Sequence, residues 1–551
     1  MPGGTDMTLR PFMWRASRLY PGTEIVSRTH DGIERYDYAT YDERVGRLAN
    51  ALTATGIEPG DRVGTVCWNH HRHFETYFSV PNMGAQLHTI NPLLPDDHLQ
   101  YIVRDAGDRL LFVDPSLAEK LAGAVTDDPG AFESVERFVV MGSDVGEADL
   151  SPVVDYESLL SDHDGAFDWP QVREEQPAGM CYTSGTTGRP KGVEYTQQML
   201  WAHTMMTFSP GGLHIDDSDV VMPVVPMFHV NAWGMPFTTT AAGAKHVYPG
   251  PAPDPADLAD LIEEEGVTLT AGVPTVWLGL MEYLQENEVD LSSLERIVVG
   301  GSAAPEAMIR RFDELGVEVV HAWGMTEMSP IGTVARLKPG MEGLDEEARY
   351  DARAKQGLIA PGLEFRVVGD DGEEVPWDGE EFGELHVRGP SVTTEYFDRP
   401  DAADDFDGDW LKTGDVVRVD SHGYIEIVDR AKDVIKSGGE WISSVELENA
   451  LMAHDAVAEA TVIGVPHERW QERPVAFVVP TAEADEELAA ELGDLIEAEY
   501  PTWWRPDEVM TIDEIPKTAT GKFDKKVLRE EYDDSSLVEG KVPEEIAPEE
   551  R

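Results

Sequence analysis

Short apolar runs alternate with helix-length amphipathic stretches through the first three-fifths of the chain, and this alternation narrows the fold more than any other feature. Arg109 to Asp114 and Phe138 to Met141 read as strands. Leu258 to Glu265 reads as a helix stopped by Gly266 and followed by a strand over Val267 to Thr270. Ile297 to Val299 reads as a strand, Pro305 to Leu315 as a helix with Gly316 past its end, and Val317 to His321 as another strand. Proline at a helix start and glycine beyond its stop fit the backbone needs of those two ends. Repeated β-α-β units imply parallel sheets covered by helices. Ligands of such sheets bind beyond the carboxyl ends of strands, where Gly300-Gly301-Ser302 and His321 through Ser329 fall.

Between about Leu363 and Ile427 the pattern changes to short strands and glycine turns, among them Asp371-Gly372 and His422-Gly423. That reads as a small all-β subdomain. From about Ala431 strands (Ala460 to Ile463, Val475 to Val479) mix with helices (Val445 to Met452, Glu486 to Glu499). With 551 residues the chain exceeds what one core holds. We read an α/β protein whose residues 1–429 form a large N-terminal domain of two parallel-type sheets plus the β subdomain at about 363–427. Residues 430–535 form a small α+β C-terminal domain, and 536–551 an acidic tail expected to be disordered.

Acidic residues number 105 against 43 basic ones, a net charge of −62. Such a surface repels a phosphate backbone, which excludes nucleic acid as a general partner. Regular apolar segments run almost throughout, so the acid excess does not signal disorder. It reads instead as a solvated surface suited to high salt, a halophilic habit. Cys67 and Cys181 offer neither a disulfide framework nor a metal-ligand spacing. Met1 to Tyr20 lacks the apolar stretch of a signal peptide, and no later run approaches a membrane span. The expectation is a soluble cytoplasmic protein that is not transmembrane.

The densest chemical signal is Tyr182-Thr-Ser-Gly-Thr-Thr-Gly-Arg-Pro-Lys-Gly-Val193, preceded by a strand over Met180 to Tyr182. Its glycines let backbone N–H groups approach a ligand, its hydroxyls donate hydrogen bonds and its cations balance charge, a combination suited to a polyphosphate. It is not a Walker A loop, because glycine follows Lys191. A flexible linker would share part of this composition.

This segment resembles the signature of the adenylate-forming (AMP-binding) superfamily, which comprises acyl-CoA synthetases, luciferases and peptide-synthetase adenylation domains. The family's other segments follow in order: Pro226-Met-Phe-His-Val-Asn-Ala-Trp-Gly234, Val299-Gly-Gly-Ser-Ala-Ala-Pro305, Ala322-Trp-Gly-Met-Thr-Glu-Met-Ser-Pro330, Gly383 to Gly389, Trp410-Leu-Lys-Thr-Gly-Asp415, Gly423 to Glu448, and Pro516-Lys-Thr-Ala-Thr-Gly-Lys522. The resemblance spans nearly the whole chain.

It implies a site for ATP, Mg²⁺ and coenzyme A. Lys522 would be the catalytic lysine that supplies positive charge when a carboxylate attacks the α-phosphate. Glu327 would hold Mg²⁺ directly or through water, with Thr186 as a second metal-side group and Thr326 on the phosphates. Thr183, Ser184, Gly185, Thr186, Thr187, Gly188 and Lys191 would cradle the phosphates. Asp415 would accept from the ribose hydroxyls, with Arg430 on the same side. Gly301, Ser302, Ala303, His321, Ala322, Trp323 and Gly324 would form the adenine wall, Trp323 as its stacking surface. His229 would stand near the acyl carboxylate and the CoA passage, although a lone histidine among apolar residues is often a satisfied core group. The C-terminal domain would be a mobile lid hinged at Lys432, and Trp233, Gly438, Gly439 and Trp441 would line the acyl and pantetheine paths.

The acid is less sharply marked. Phe228 is followed by His229, where amino-acid-activating relatives carry an aspartate, so an α-amino acid would lack its counter-ion. Gly324 stands where acetate-type relatives carry a tryptophan, which reads as an open acyl pocket lined by Val230, Ala232, Trp233, Gly234, Val299, Met325 and Met328. The segments look most like fatty-acyl-CoA synthetases, so the expected substrate is a medium- or long-chain fatty acid. Short substituted or aryl acids, transfer to a carrier protein or to oxygen, and a non-catalytic nucleotide-binding protein are the alternatives. A homodimer is open by analogy with fatty-acyl relatives.

Overall fold

The computed structural model describes residues 6–30, 32–146, 149–183, 189–438, 440–454, 456–467, 469–481, 488–517 and 523–533. Ser184, Gly185, Thr186, Thr187, Gly188, Gly439, Lys522 and the tail 536–551 therefore lie outside the described residues.

Among the described residues the strands form four sheets. One seven-stranded sheet contains Arg62–Val66, Gln86–Thr89, Leu110–Val113, Arg137–Val140 and Val153–Asp155 in parallel, with Pro177–Tyr182 joining parallel to Gln86–Thr89. The strand Gly192–Thr196 closes its edge by pairing antiparallel with Pro177–Tyr182. The nine-stranded sheet is parallel through Glu318–Gly324, Arg296–Val299, Leu269–Gly272, Val220–Pro223, Lys245–Tyr248 and Glu24–Thr29, and antiparallel at both edges. An antiparallel five-stranded sheet follows from Glu364–Val368 to Ile425–Arg430. The last sheet, of Ile435–Ser437, Glu440–Ile442, Val457–His467, Gln471–Pro480 and Glu508–Thr511, carries the helices Ser444–Met452, Leu488–Glu499 and Lys525–Asp533. The α/β class with a β subdomain and a small C-terminal α+β unit is what the pattern predicts.

Element boundaries moved where helix ends use the next residue. The strand expected from Val267 begins at Leu269, because the Val267 N–H closes the preceding helix on the Ile262 carbonyl around left-handed Gly266. Val317 does the same to Phe312 beyond Gly316, and that strand begins at Glu318.

The helix His71–Asn82 is buried along nearly its whole length and belongs to a core that draws on both large sheets. A helix enclosed in this way has no solvated face, so its polar groups need internal partners. Glu75 is fully buried and receives the Tyr36 hydroxyl at 2.8 Å, the Tyr156 hydroxyl at 2.6 Å and Arg44 Nε at 2.7 Å. Arg44 also holds Glu157 through two hydrogen bonds of 3.0 Å, and Arg72 reaches the same carboxylate at 2.7 Å.

Removing one partner of a buried ion pair leaves the other charge uncompensated. Arg44→Met is expected to lower stability by about 3 kcal/mol, read from the urea midpoint. An unchanged midpoint would mean that the two tyrosines alone satisfy Glu75.

Candidate active site

The 183–191 loop links two antiparallel strands at the carboxyl end of the seven-stranded sheet. Its two feet are tied together. Thr183 N–H donates to the Lys191 carbonyl at 2.9 Å, and Lys191 N–H donates to Thr183 Oγ1 at 3.1 Å. Lys191 Nζ pairs with Asp405 and stands 4.6 Å from the centre of the Tyr396 ring. The Tyr396 hydroxyl donates in turn to Glu327 Oε1 at 2.6 Å. The loop and Glu327 are thus joined through one aromatic side chain, a link that their separation in sequence hides.

Glu327 is buried, in a short helical turn Thr326–Met328 that begins just beyond the end of the Glu318–Gly324 strand. The Thr326 carbonyl accepts the Tyr195 hydroxyl at 2.8 Å, and the Glu327 carbonyl accepts the Thr393 N–H at 2.8 Å. Burial pushes the Glu327 carboxyl above its ordinary range, opposed by the Tyr396 hydrogen bond and by the charges of Arg430 and Lys191. Asp415, also buried, holds Arg430 Nε at 2.7 Å on one oxygen and the Trp323 indole N–H at 3.0 Å on the other. Asp415 and Arg430 face each other across one strand pair.

The wall residues divide by exposure. Gly301, Ser302, Ala303 and Gly324 are exposed at strand ends, whereas His321, Ala322 and Trp323 are buried. His321 Nδ1 lies 2.9 Å from the Ala354 carbonyl, and burial lowers its pKa to about 4, so the ring is neutral and occupied. Gly301 is left-handed at φ +82°. At Gly300 a β-carbon would lie 2.8 Å from the Ala322 carbonyl and 3.1 Å from the Trp233 ring, which puts that tryptophan directly against the wall. Gly324 has a backbone reason beyond acyl-pocket size: a β-carbon there would stand 2.1 Å from the Pro330 carbonyl oxygen.

His229 leads into an unusual turn. Val230, Asn231, Ala232 and Trp233 have φ of 45°, 57°, 49° and 55°, a left-handed run without glycine until Gly234. Each such residue costs roughly 1–2 kcal/mol, so tertiary contacts must impose the turn. Asn69 accepts the Met227 N–H at 2.6 Å and donates to the carbonyls of Pro223 and Val225, both at 2.9 Å. The Tyr77 hydroxyl donates to the Met227 carbonyl at 2.6 Å. On the far side His203 Nε2 accepts the Ile331 N–H at 3.1 Å, and its ring fills the space beside Gly234. A cavity of about 20 Å³, a volume suited to a single water, is lined by Thr89, Asn91, Thr183, Phe228 and His229 among others, which brings His229 beside the foot of the loop. Asn69, Tyr77, His203, Tyr396 and Asp405 escaped the sequence reading; only Asn69, a polar residue shortly past the end of the Arg62–Val66 strand, carried a local signal.

The expected acyl lining is not one surface. Val230, Ala232 and Trp233 lie in the core around the His71–Asn82 helix, Val299 in the core beneath the nine-stranded sheet, and Met328 in that of the β subdomain. These residues come from well-separated stretches of the chain, which pack into different cores.

In the C-terminal unit Lys432 is exposed and its carbonyl accepts from Arg529 at 3.4 Å. Gly438 is left-handed and its N–H donates to the Trp470 carbonyl at 2.8 Å. Trp441 packs on Phe382 of the β subdomain with ring centres 5.5 Å apart, and Lys436 lies 4.9 Å from its ring.

Glu327 gives a pH-dependent prediction. An acid whose folded-state pKa is raised binds its proton more tightly than in the unfolded chain, so stability falls as pH rises from the unfolded value through the folded one. Glu327→Gln removes that slope. The ligand-free variant is expected to be more stable than the parent at neutral pH, the gap closing as pH falls below the ordinary glutamate range, in melts from about pH 4 to 8. Equal stability at neutral pH would mean that Tyr396 and the nearby cations offset burial in full.

Residues 13–397 match the model of a family described as AMP-binding enzyme, and residues 446–522 match its AMP-binding enzyme C-terminal domain. The long-chain-fatty-acid–CoA ligase of Thermus thermophilus is 45% identical over 533 residues, 96% of each chain. The 3-methylmercaptopropionyl-CoA ligase of Ruegeria lacuscaerulensis is 43% identical over 524 residues, 94% of this chain and 96% of that one. The solved structure of the anthranilate CoA ligase AuaEII in complex with anthranoyl-AMP is similar with a TM-score of 0.83 at 25% identity, over 97% of this chain and 99% of that one. Matched along both segments, in order and over most of its length, the chain belongs to the AMP-binding enzyme family.

Proposed function

We propose that this protein is an ATP-dependent acyl-CoA ligase, forming an acyl adenylate and pyrophosphate from a carboxylic acid and ATP, then transferring the acyl group to coenzyme A with release of AMP. The observation that carries this reading is the buried Glu327, set between Lys191 of the loop and the Asp415–Arg430 pair. Three carboxylates, Glu327, Asp405 and Asp415, stand with two cations beside an exposed glycine wall, a balance that suits a polyphosphate carried with its metal ion.

Each residue has a role in that reading. Thr183, Lys191 and the segment between them hold the phosphates. Asp415, oriented by Arg430 and Trp323, accepts the ribose hydroxyls, and Gly301 to Ala303 with Gly324 border the adenine. Glu327 is a single carboxylate, and among the described residues no group of three or more His, Cys, Asp or Glu side chains is placed to hold a metal. Such a site fits Mg²⁺ that keeps phosphate oxygens as its main ligands, with Glu327 on its protein side. When bound, the ion neutralises phosphate charge. Lys522 places its ammonium where the carboxylate meets the α-phosphate, lowering the repulsion between two anions. Lys432 is the hinge about which residues 430–535 turn between the half-reactions, bringing Gly438, Gly439 and Trp441 toward the thiol's path.

The substrate we infer is a medium- or long-chain fatty acid, supported by the fatty-acid ligase among its similar proteins and by the apolar surroundings of Phe228 and Trp233. A short substituted acid is the second reading, favoured by the equally similar methylmercaptopropionyl-CoA ligase. Among the described residues no helix is long and apolar enough to cross a membrane, and we place the enzyme in the cytoplasm. The net charge of −62 suits function at high salt; whether it works as a homodimer is a question for sedimentation.

AMP and acyl-CoA are to be followed with ATP, Mg²⁺ and CoA, using acids from acetate to palmitate plus benzoate, at high and low salt. An optimum at medium or long chains supports the fatty-acid assignment, and an optimum at short or aryl acids rejects it. Acyl-AMP without thioester would point to a carrier or another acceptor, and no turnover at any salt to a nucleotide-binding protein. Lys522→Ala is expected to cut pyrophosphate exchange by about 10²–10³-fold while ATP still binds; undiminished exchange would reject its role. Lys432→Pro, which fixes the hinge backbone, is expected to slow thioester formation far more than adenylation, and equal rates would sink the hinge.

A further inference from the structure

The helix Asp96–Ala106 makes contacts at both described ends of the 183–191 loop. Near its end Asp105, half-buried, accepts the Tyr182 hydroxyl at 2.7 Å. Tyr182 is the last residue of its strand, and Thr183, the first foot of the loop, follows it directly. One turn earlier on the same helix, Tyr101 presents its ring to Arg189, whose guanidinium carbon lies 5.0 Å from the ring centre, close to the second foot. Asp105 and Tyr101 are four residues apart and so share one helix face. The helix therefore holds both ends of the loop by chemically different contacts, a charge-assisted hydrogen bond and a cation–π contact.

The Tyr182 ring is itself fixed. His88 lies against it at 5.2 Å between ring centres, and His88 Nδ1 is held at 2.8 Å by Asp108, both groups being fully buried. Opposite Tyr182 in the strand pair stands Gly192, where a β-carbon would come within 3.2 Å of the ring's Cζ. The ring thus has a buried pair on one side and a bare backbone on the other, and its hydroxyl reaches a single carboxylate. An exposed strand end needs none of this.

We propose that Asp105, Tyr182 and Tyr101 are positioning residues for nucleotide binding, setting the angle and spacing of the two described feet of the loop, Thr183 and Arg189 to Lys191. The inference rests on the reading of 183–191 as the phosphate loop. None of the three touches the reacting atoms; their effect passes through Thr183, Arg189 and Lys191. Fixing the feet in advance strengthens binding of what they hold, the phosphates, more than it changes the affinity for the acid's chain.

Two measurements on the full-length protein test this. In steady-state kinetics, Tyr182→Phe and Asp105→Ala are each expected to raise KM for ATP about tenfold, from loss of one charge-assisted hydrogen bond, with KM for the acid and kcat changed by less than about threefold. Asp105→Asn keeps an acceptor for the hydroxyl and is expected to restore most of the parent's KM. In hydrogen–deuterium exchange without ligand, peptides covering 182–192 are expected to exchange about tenfold faster in Tyr182→Phe and Asp105→Ala, while those covering Leu110–Val113 keep the parent's rate. Unchanged exchange in 182–192 would overturn the proposal. So would faster exchange throughout the sheet with both KM values rising together, since that pattern belongs to a fold-wide contact. If the parent forms no acyl adenylate, the functional reading fails by itself, and the exchange measurement still decides whether Asp105 and Tyr182 order the loop.

Discussion

The two large sheets are bound to each other through a helix that has no wet side. Because His71–Asn82 is enclosed, the residues at and near it must spend their polar atoms on the structure around them. Glu75 gathers Tyr36, Tyr156 and Arg44, while Asn69 and Tyr77 reach across to the backbone of Pro223 to Met227. The segment that presents His229 is thereby fixed by the same packing that joins the sheets. Core and site are one mechanical object here, and a loss of order in the helix would reach the site through hydrogen bonds rather than through the distant ends of loops.

Asp415 plays a comparable part at the edge of the β subdomain. Its oxygens take Arg430 from the neighbouring strand and Trp323 from the nine-stranded sheet, so one buried carboxylate ties a strand pair of the β subdomain to a residue 92 positions away. The next residue back, Asp429, is also buried, and its Oδ2 accepts the Ser444 N–H at 2.6 Å from the start of a C-terminal helix. Burial raises the pKa of Asp429, with the charge of Lys525 opposing. The two buried acids thus serve different partners, Asp415 holding Arg430 and Trp323 while Asp429 holds the start of a C-terminal helix. Under the hinge role proposed for Lys432, a movement there would start close to Arg430, which pairs with Asp415.

The architecture was legible because it follows from local pattern: apolar runs of strand length, helices ended by glycine, and the switch to short strands near Leu363. Even the misplaced strand starts at Val267 and Val317 have a local cause, since each N–H closes the helix before it. The site was legible only as a set of segments. What joins them is long-range and chemically ordinary, such as a tyrosine at 396 on a glutamate at 327 or an aspartate at 405 on a lysine at 191. No spacing rule connects such residues, because their proximity is created by sheet order. Gly324 illustrates the opposite risk: a residue read as an opening in a pocket also lets one backbone pass another. Val299 and Met328 were grouped in one lining as apolar residues of motif segments, yet they pack into separate cores.

The left-handed run from Val230 to Trp233 has an evolutionary consequence. Glycine is at ease in that conformation, whereas valine, alanine and tryptophan are not. Drift toward glycine at Ala232, where little packing is lost, would therefore relieve strain, and would leave Trp233 less firmly set against Gly300. Selection for a robust fold and selection for a well-placed tryptophan pull on these positions in opposite directions. The turn keeps its side chains only while the tryptophan matters, so the residues at 230 to 233 across descendants of this chain would form a fossil record of whether that ring was in use.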